Sequence, residues 1–181
     1  TSQQATVTTS LQGMEFSGTV YSKAPNKMKI EVDVMGTKMI QAYDGETAWW
    51  LFPMQTGPDP QPMPKDMAES MTEQEFELPF VDYAKKGNTV ELMGKEEVEG
   101  TETFKMKVTK KNGKVQYYFF DSEYFVPILI RAPIESGPAK GQNAETFLSD
   151  YQEVDGLMLP FFTEVKVGGQ TAQKITMKDV K

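Results

Sequence analysis

The chain has 181 residues, 19 Lys and Arg against 26 Asp and Glu, and a formal charge of −7 with a pI near 4.8. That balance argues against a nucleic-acid partner and against electrostatic docking on anionic lipid, since no basic stripe runs through the sequence. Histidine and cysteine are both absent, which removes thiolate nucleophiles, Cys/His zinc sites, Ser-His-Asp triads and an imidazole base.

An enzyme is therefore not expected, and neither is a cofactor or a metal site. The single arginine, Arg131, leaves little scope for bidentate anion recognition. No apolar run approaches the ~20 residues of a membrane-spanning helix. The length suits one domain, taken here as 1–181. The sequence opens on Thr1 without a signal-peptide pattern, so it reads as a mature or trimmed form.

Residues 6–12 and 15–23 flank Gly13 and read as a pair of moderately polar strands. The stretch 27–34 alternates without error, with Met28, Ile30, Val32 and Val34 on one face and Lys27, Lys29, Glu31 and Asp33 on the other. Side chains of a strand point to opposite faces in turn, so this strand has one apolar and one wetted side. Gly36 turns the chain into 37–43, and Asp44-Gly45 reads as a second tight hairpin turn. Trp49, Trp50, Leu51 and Phe52 then end the block with a bulky apolar run that needs shelter.

Five of the twelve residues 53–64 are proline, so this segment is neither a helix nor a central strand; extended chain laid over the sheet is expected. A short helix follows over 65–71. Thr72-Glu73-Gln74-Glu75 carries a capping-box pattern, and Phe76, Phe80 and Tyr83 stand at helical spacing before a capping Gly87. Pro79 predicts two short helices or a kinked one. Twelve methionines is a high count, and Met54, Met63, Met67 and Met71 fall in this one segment. Methionine either fills irregular core space or serves surfaces that must fit several shapes.

Strand patterns resume at 89–92, 97–101 and 104–108, then 115–120 after the Lys111-Asn112-Gly113 turn, and 124–131 after Asp121-Ser122-Glu123. Residues 137–141 read as a loop. Three more strands, 145–154, 157–167 and 171–180, are joined by Asp155-Gly156 and Gly168-Gly169. The sum is ten or eleven antiparallel strands with a lid insertion at about 53–87. An open sheet of that size curls or closes. The acidic run Glu96-Glu97-Val98-Glu99 reads as a solvated turn, because it lacks a calcium-loop pattern.

Tyr43-Asp44-Gly45 with Trp49 and Pro53, then Ser149-Asp150-Tyr151, Asp155-Gly156-Leu157 and Pro160, resemble the periplasmic outer-membrane lipoprotein-sorting (LolA-like) family in order and spacing. The hairpin patterns of 90–100, 104–108 and 110–121 extend the resemblance over nearly the whole chain. It implies a mainly β fold: an incomplete antiparallel barrel whose hydrophobic cavity is covered by a short helical and proline-rich lid on the concave side.

The resemblance also implies a non-enzymatic carrier of lipoprotein acyl chains or other lipids, exported to the periplasm with its signal removed, a lipid anchor not excluded. Envelope lipoproteins and membrane-bound donor and acceptor proteins would be its partners. The alternative is an envelope sensor or protein-interaction module of the same fold without a lipid. Met28, Ile30, Val32, Val34, Trp49 and Phe52 are then cavity candidates, with Met54, Met63, Met67, Met71, Phe76 and Phe80 as the lid. The bland reading of the same residues is ordinary core packing, with the tryptophans as core or rim aromatics. Two departures stand out. The family's opening helix has no counterpart here, and its early-strand arginine is matched only by Lys23, Lys27 and Lys29.

Overall fold

The computed structural model describes residues 2–11, 13–72, 76–135 and 138–181. The error-free alternation of residues 27–34 produces strand β3 (Lys27–Val34), which hairpins into β4 (Thr37–Tyr43) through Met35 and Gly36. Both turn residues have positive φ, 53° and 78°, as a two-residue hairpin turn requires, and the Asp33 carboxylate accepts the Gly36 N–H at 2.8 Å.

The next connection differs from the expected tight Asp-Gly turn. Tyr43 pairs with Ala48, so residues 44–47 form a longer loop into β5 (Ala48–Leu51). The Asp44 side chain holds that loop by accepting the N–H groups of Glu46 and Thr47 at 2.9 and 2.8 Å. An Asx-type turn won because the aspartate offers the backbone an acceptor of its own.

Strands β1 (Ser2–Leu11) and β2 (Met14–Lys23) precede this hairpin, and β1 begins at Ser2, earlier than the expected sixth residue. The proline-rich stretch after β5 forms α1 (Pro53–Thr56), with Pro53 in its first turn, and then β6 (Gln61–Pro62), which pairs with Trp50 and Trp49. Helix α2 (Lys65–Thr72) follows. The capping-box pattern at 72–75 and part of the loop at 137–141 lie outside the described residues. The helix expected around Phe76, Phe80 and Tyr83 reduces to α3 (Tyr83–Lys86), with Pro79 in the preceding turn and Gly87 at φ 77° as its C-cap.

The remaining strands are β7 (Thr89–Val98), β8 (Thr101–Thr109), β9 (Val115–Asp121), β10 (Pro127–Pro133), β11 (Asn143–Val154), β12 (Leu157–Val167) and β13 (Gln170–Val180). β7 runs unbroken where two strands were expected, because a bulge between Leu92 and Gly94 absorbs the irregularity. Among the described residues, thirteen strands belong to one antiparallel order, β6-β5-β4-β3-β2-β1-β13-β12-β11-β10-β9-β8-β7, and its two edge strands do not pair. The sheet is open, and its strand count exceeds the ten or eleven expected partly because Gln61–Pro62 adds an edge.

The chain packs as two compact units, residues 1–78 with 176–181, and residues 79–175. In the first, Tyr43, Ala48, Met63 and Met71 form the buried cluster. In the second, Val98, Phe119 and Leu129 form it, with Tyr117 and Phe147 against them. Arg131 and Lys105 lie over Phe119 and both pair with Glu96, so charged groups roof this aromatic cluster. Buried Asn88 ties the loop before β7 to the β8–β9 turn, donating to the Pro79 carbonyl at 2.9 Å and accepting the Lys111 N–H at 3.0 Å. The Tyr151 hydroxyl donates to the Pro127 carbonyl, and burial raises its pKa well above the ordinary phenol value.

Candidate functional site

Directly opposed residues of an antiparallel pair share a face, so the register sorts the first unit's side chains. Val32 opposes Gly18 and Met39; Ile30 opposes Val20 and Gln41; Gln41 in turn opposes Trp50. One face therefore carries Ile30, Val32, Val34, Met39, Gln41 and Trp50. The opposite face carries Lys29, Ala42 and Trp49, which also stand directly across from one another. The two adjacent tryptophans look in opposite directions.

On the apolar face Phe16, Ile30, Val32, Val34, Met39, Gln41, Trp50, Phe52, Gln55 and Met67 line a groove of about 600 Å³, to which Ile40 and Leu51, at the alternate positions of β4 and β5, also contribute atoms. No ionisable residue is among them; Gln41 and Gln55 supply the polar atoms. The volume lies within the ~300–1,000 Å³ range of small-molecule sites. Trp50 and Phe52 meet edge to face at 6.3 Å and fix one wall. Close approach of β2 to β3 is set by Gly18, where an added Cβ would lie 2.4 Å from the Glu31 carbonyl oxygen.

The proline-rich segment and α2 cover part of this face. The Met63 N–H donates to the Ala48 carbonyl at 3.0 Å, and Pro64 opens the helix by accepting the N–H groups of Met67 and Ala68 at 3.0 and 2.9 Å. Met63 and Met71 are buried on Tyr43 and Ala48, with Met28, Trp50 and Ala68 packed around them. The strip is thus split: its Met28 end is filled by the lid's own methionines, and its Ile30-to-Val34 end is open.

Of the residues singled out in the sequence, Ile30, Val32, Val34, Phe52 and Met67 come together in the groove. Met28, Met63 and Met71 join the buried cluster beside it. Trp49 borders a separate hollow on the opposite face, which Met28 also reaches. Met54 is 79% exposed and outside the groove lining. Phe76 is tethered to the β2–β3 turn, its N–H donating to the Pro25 carbonyl at 3.0 Å. Phe80 packs edge to face on Tyr118 and Phe120, at 5.4 and 5.3 Å, in the second unit.

Trp50 and Leu51, read in the sequence as part of a run needing shelter but not as cavity candidates, line the groove together with Phe16, Met39, Ile40, Gln41 and Gln55. Met39 and Gln41 were within reach, since a two-residue turn at Met35-Gly36 fixes the β3–β4 register. Trp50 was within reach as well: a two-residue turn at Asp44-Gly45 would set it across from Met39 and the observed longer loop sets it across from Gln41, two positions on the same face.

Among the solved structures with a similar fold, three each cover 99% of this chain. An outer-membrane lipoprotein-sorting protein domain from Vibrio parahaemolyticus matches with a TM-score of 0.67 and 13% identity over 84% of its own length. A DUF1329 family protein from Desulfovibrio piger matches at 0.70 and 15% over 85% of its length. The LolA superfamily protein NE2245 from Nitrosomonas europaea matches at 0.64 and 12% over 84%. The chain has the LolA-like fold. No protein-family model and no curated protein matches the sequence itself.

Proposed function

We propose that the protein is a non-enzymatic carrier of lipid acyl chains in the bacterial envelope, working in the periplasm with lipoproteins or other lipids as cargo. The observation that carries this reading is the groove on Ile30, Val32 and Val34, walled by Trp50, Phe52 and Met67 and lined by no ionisable residue. Such a lining rewards an alkyl chain and penalises a charged ligand. The LolA-like fold is compatible with it, and two of the similar structures are described as lipoprotein-sorting or LolA superfamily proteins.

At ~0.8 kcal/mol per methylene, a sixteen-carbon chain gains on the order of 12 kcal/mol gross on burial. Cargo held that firmly leaves slowly unless the site opens. Met63 and Met71 fill the Tyr43 end when the groove is empty and withdraw when a long chain enters, so the lid spares the fold a permanent void. Release is displacement of the proline-rich segment and α2.

Two measurements test the reading. Mass spectrometry of organic extracts of the purified protein should find a co-purifying lipid, and a Trp49→Phe variant should report saturable fatty-acid binding through Trp50 emission. Absence of both would leave the sensor or interaction-module reading of the fold. A disulfide joining Ala48→Cys to Met71→Cys should block uptake of long chains and restore it on reduction; normal uptake in the oxidised form would contradict the lid mechanism.

A further inference from the structure

The first unit has a second hollow, of about 590 Å³, on the face opposite the groove. One cross-strand row builds it. Lys181 and Gln4 exchange backbone hydrogen bonds, Gln4 opposes Tyr21, Tyr21 opposes Lys29, Lys29 opposes Ala42, and Ala42 opposes Trp49. Small Ala42 is the floor between two taller walls: Trp49 on one side, and Tyr21 with Lys29 on the other. The Lys29 ammonium lies 5.4 Å from the Tyr21 ring centre.

Two residues further along the strands, Lys23 and Lys27 stand directly opposite each other and also line the hollow. Four lysines thus surround it, against one lining carboxylate, Asp44. Asp44 is engaged in its own turn and also feels the Lys27 charge, and Lys29 is paired with Glu31. Among the described residues, Lys23 and Lys27 make no ion pair. Like charges directly opposed across a sheet destabilise it, so this pair is a repulsion that Asp44 offsets only from the Lys27 side and that an anion would relieve further.

We propose that this hollow is a docking site for the headgroups of an anionic phospholipid surface. Three features favour a lipid phosphate over an acidic protein. The cations are lysines, point charges on long apolar stems that reach phosphates, without the fork that arginine offers to carboxylates. They are interleaved with Tyr21 and Trp49, the residue types that settle at membrane–water boundaries. The hollow is open to the outside, so a surface can reach it. The chain's net charge of −7 does not prevent this, because charges beyond ~8 Å are screened at physiological ionic strength and the local patch is positive. The site is separate from the acyl-chain groove and does not depend on it.

The adjacent tryptophans allow a clean test. Trp50→Phe leaves Trp49 to report on the hollow, and Trp49→Phe leaves Trp50 to report on the groove. The Trp50→Phe protein is mixed with phosphatidylcholine vesicles, with or without phosphatidylglycerol, and assayed by co-sedimentation and Trp49 emission. Binding should require phosphatidylglycerol, weaken with salt and shift Trp49. At ~1 kcal/mol per lysine near the surface, Lys23→Gln with Lys27→Gln should weaken partitioning about 30-fold, while the same charge change at Lys110 and Lys140 should leave most of it intact. The double variant should also gain thermal stability at low salt, which a merely structural role for these lysines would not produce.

Equal binding to neutral vesicles, equal loss from the two double variants, or an unmoved Trp49 would overturn the proposal. So would free glycerol phosphate binding as tightly as the vesicles, since that would make the hollow a soluble-anion site.

Discussion

Replacing Met71 with alanine tests the lid directly. Met71 is 4% exposed and packs with Tyr43, Ala48 and Met63, while Trp50 touches this cluster and also walls the groove. Losing Cγ, Sδ and Cε forfeits about 2 kcal/mol of burial at ~0.8 kcal/mol per methylene-sized group. Large-to-small core exchanges cost ~2–5 kcal/mol, and the low end applies where the void joins existing open space. We expect a loss of about 2–3 kcal/mol in urea unfolding of the lipid-free protein, or about 4–12 °C in Tm for a chain of this size. The vacated volume should also accept two or three more methylenes, tightening long-chain fatty acids about 30-fold relative to short ones. Calorimetric titration with acids of increasing length measures this, and saturating long-chain ligand should return part of the lost stability. A stability loss with no change in chain-length preference would refute the idea that Met71 stands in the ligand's path.

Three further expectations rest on single contacts. Gly18→Ala should destabilise the first unit by about 1–3 kcal/mol or more in chemical denaturation, because the new Cβ meets the Glu31 carbonyl oxygen at 2.4 Å and backbone must shift. Asn88→Ala should cost about 1–3 kcal/mol for each buried partner left unpaired, and hydrogen exchange should rise at the Lys111 amide that it holds. Glu31, hydrogen-bonded by Lys29 and Lys38, has its pKa lowered first by Lys29. Its folded pKa is depressed, so its stabilising contribution is present above the unfolded value of ~4.3 and fades as pH falls through the lower folded value. A carboxyl NMR titration should find Glu31 below the ordinary glutamate midpoint, and Lys29→Met should return it most of the way.

The LolA-like architecture was legible because it is written in local patterns. Period-two alternation in 27–34, two-residue turns at Met35-Gly36, Asp155-Gly156 and Gly168-Gly169, and the proline block at 53–64 each act over a few residues. The helical region was overestimated, because Phe76, Phe80 and Tyr83 have helical spacing but Pro79 intervenes, and Phe80 is drawn to Tyr118 and Phe120. Spacing records which residues are apolar; it carries no record of which surface they bury against.

By itself the sequence determined that this is an antiparallel sheet with one greasy side, a Met- and Pro-rich segment after its first strands, and no imidazole or thiol chemistry. Only the tertiary structure decided that an open groove remains beside Trp50 and a separate hollow beside Trp49, since alternation assigns a side chain to a face without recording what packs against it. It also decided that Met63 and Met71 fill one end of the apolar strip. And it gathered Lys23, Lys27, Lys29 and Lys181 into one hollow of an acidic chain. Strand pairing brings the two ends of the sequence side by side, so a local positive field exists that net charge, a sum without positions, cannot register.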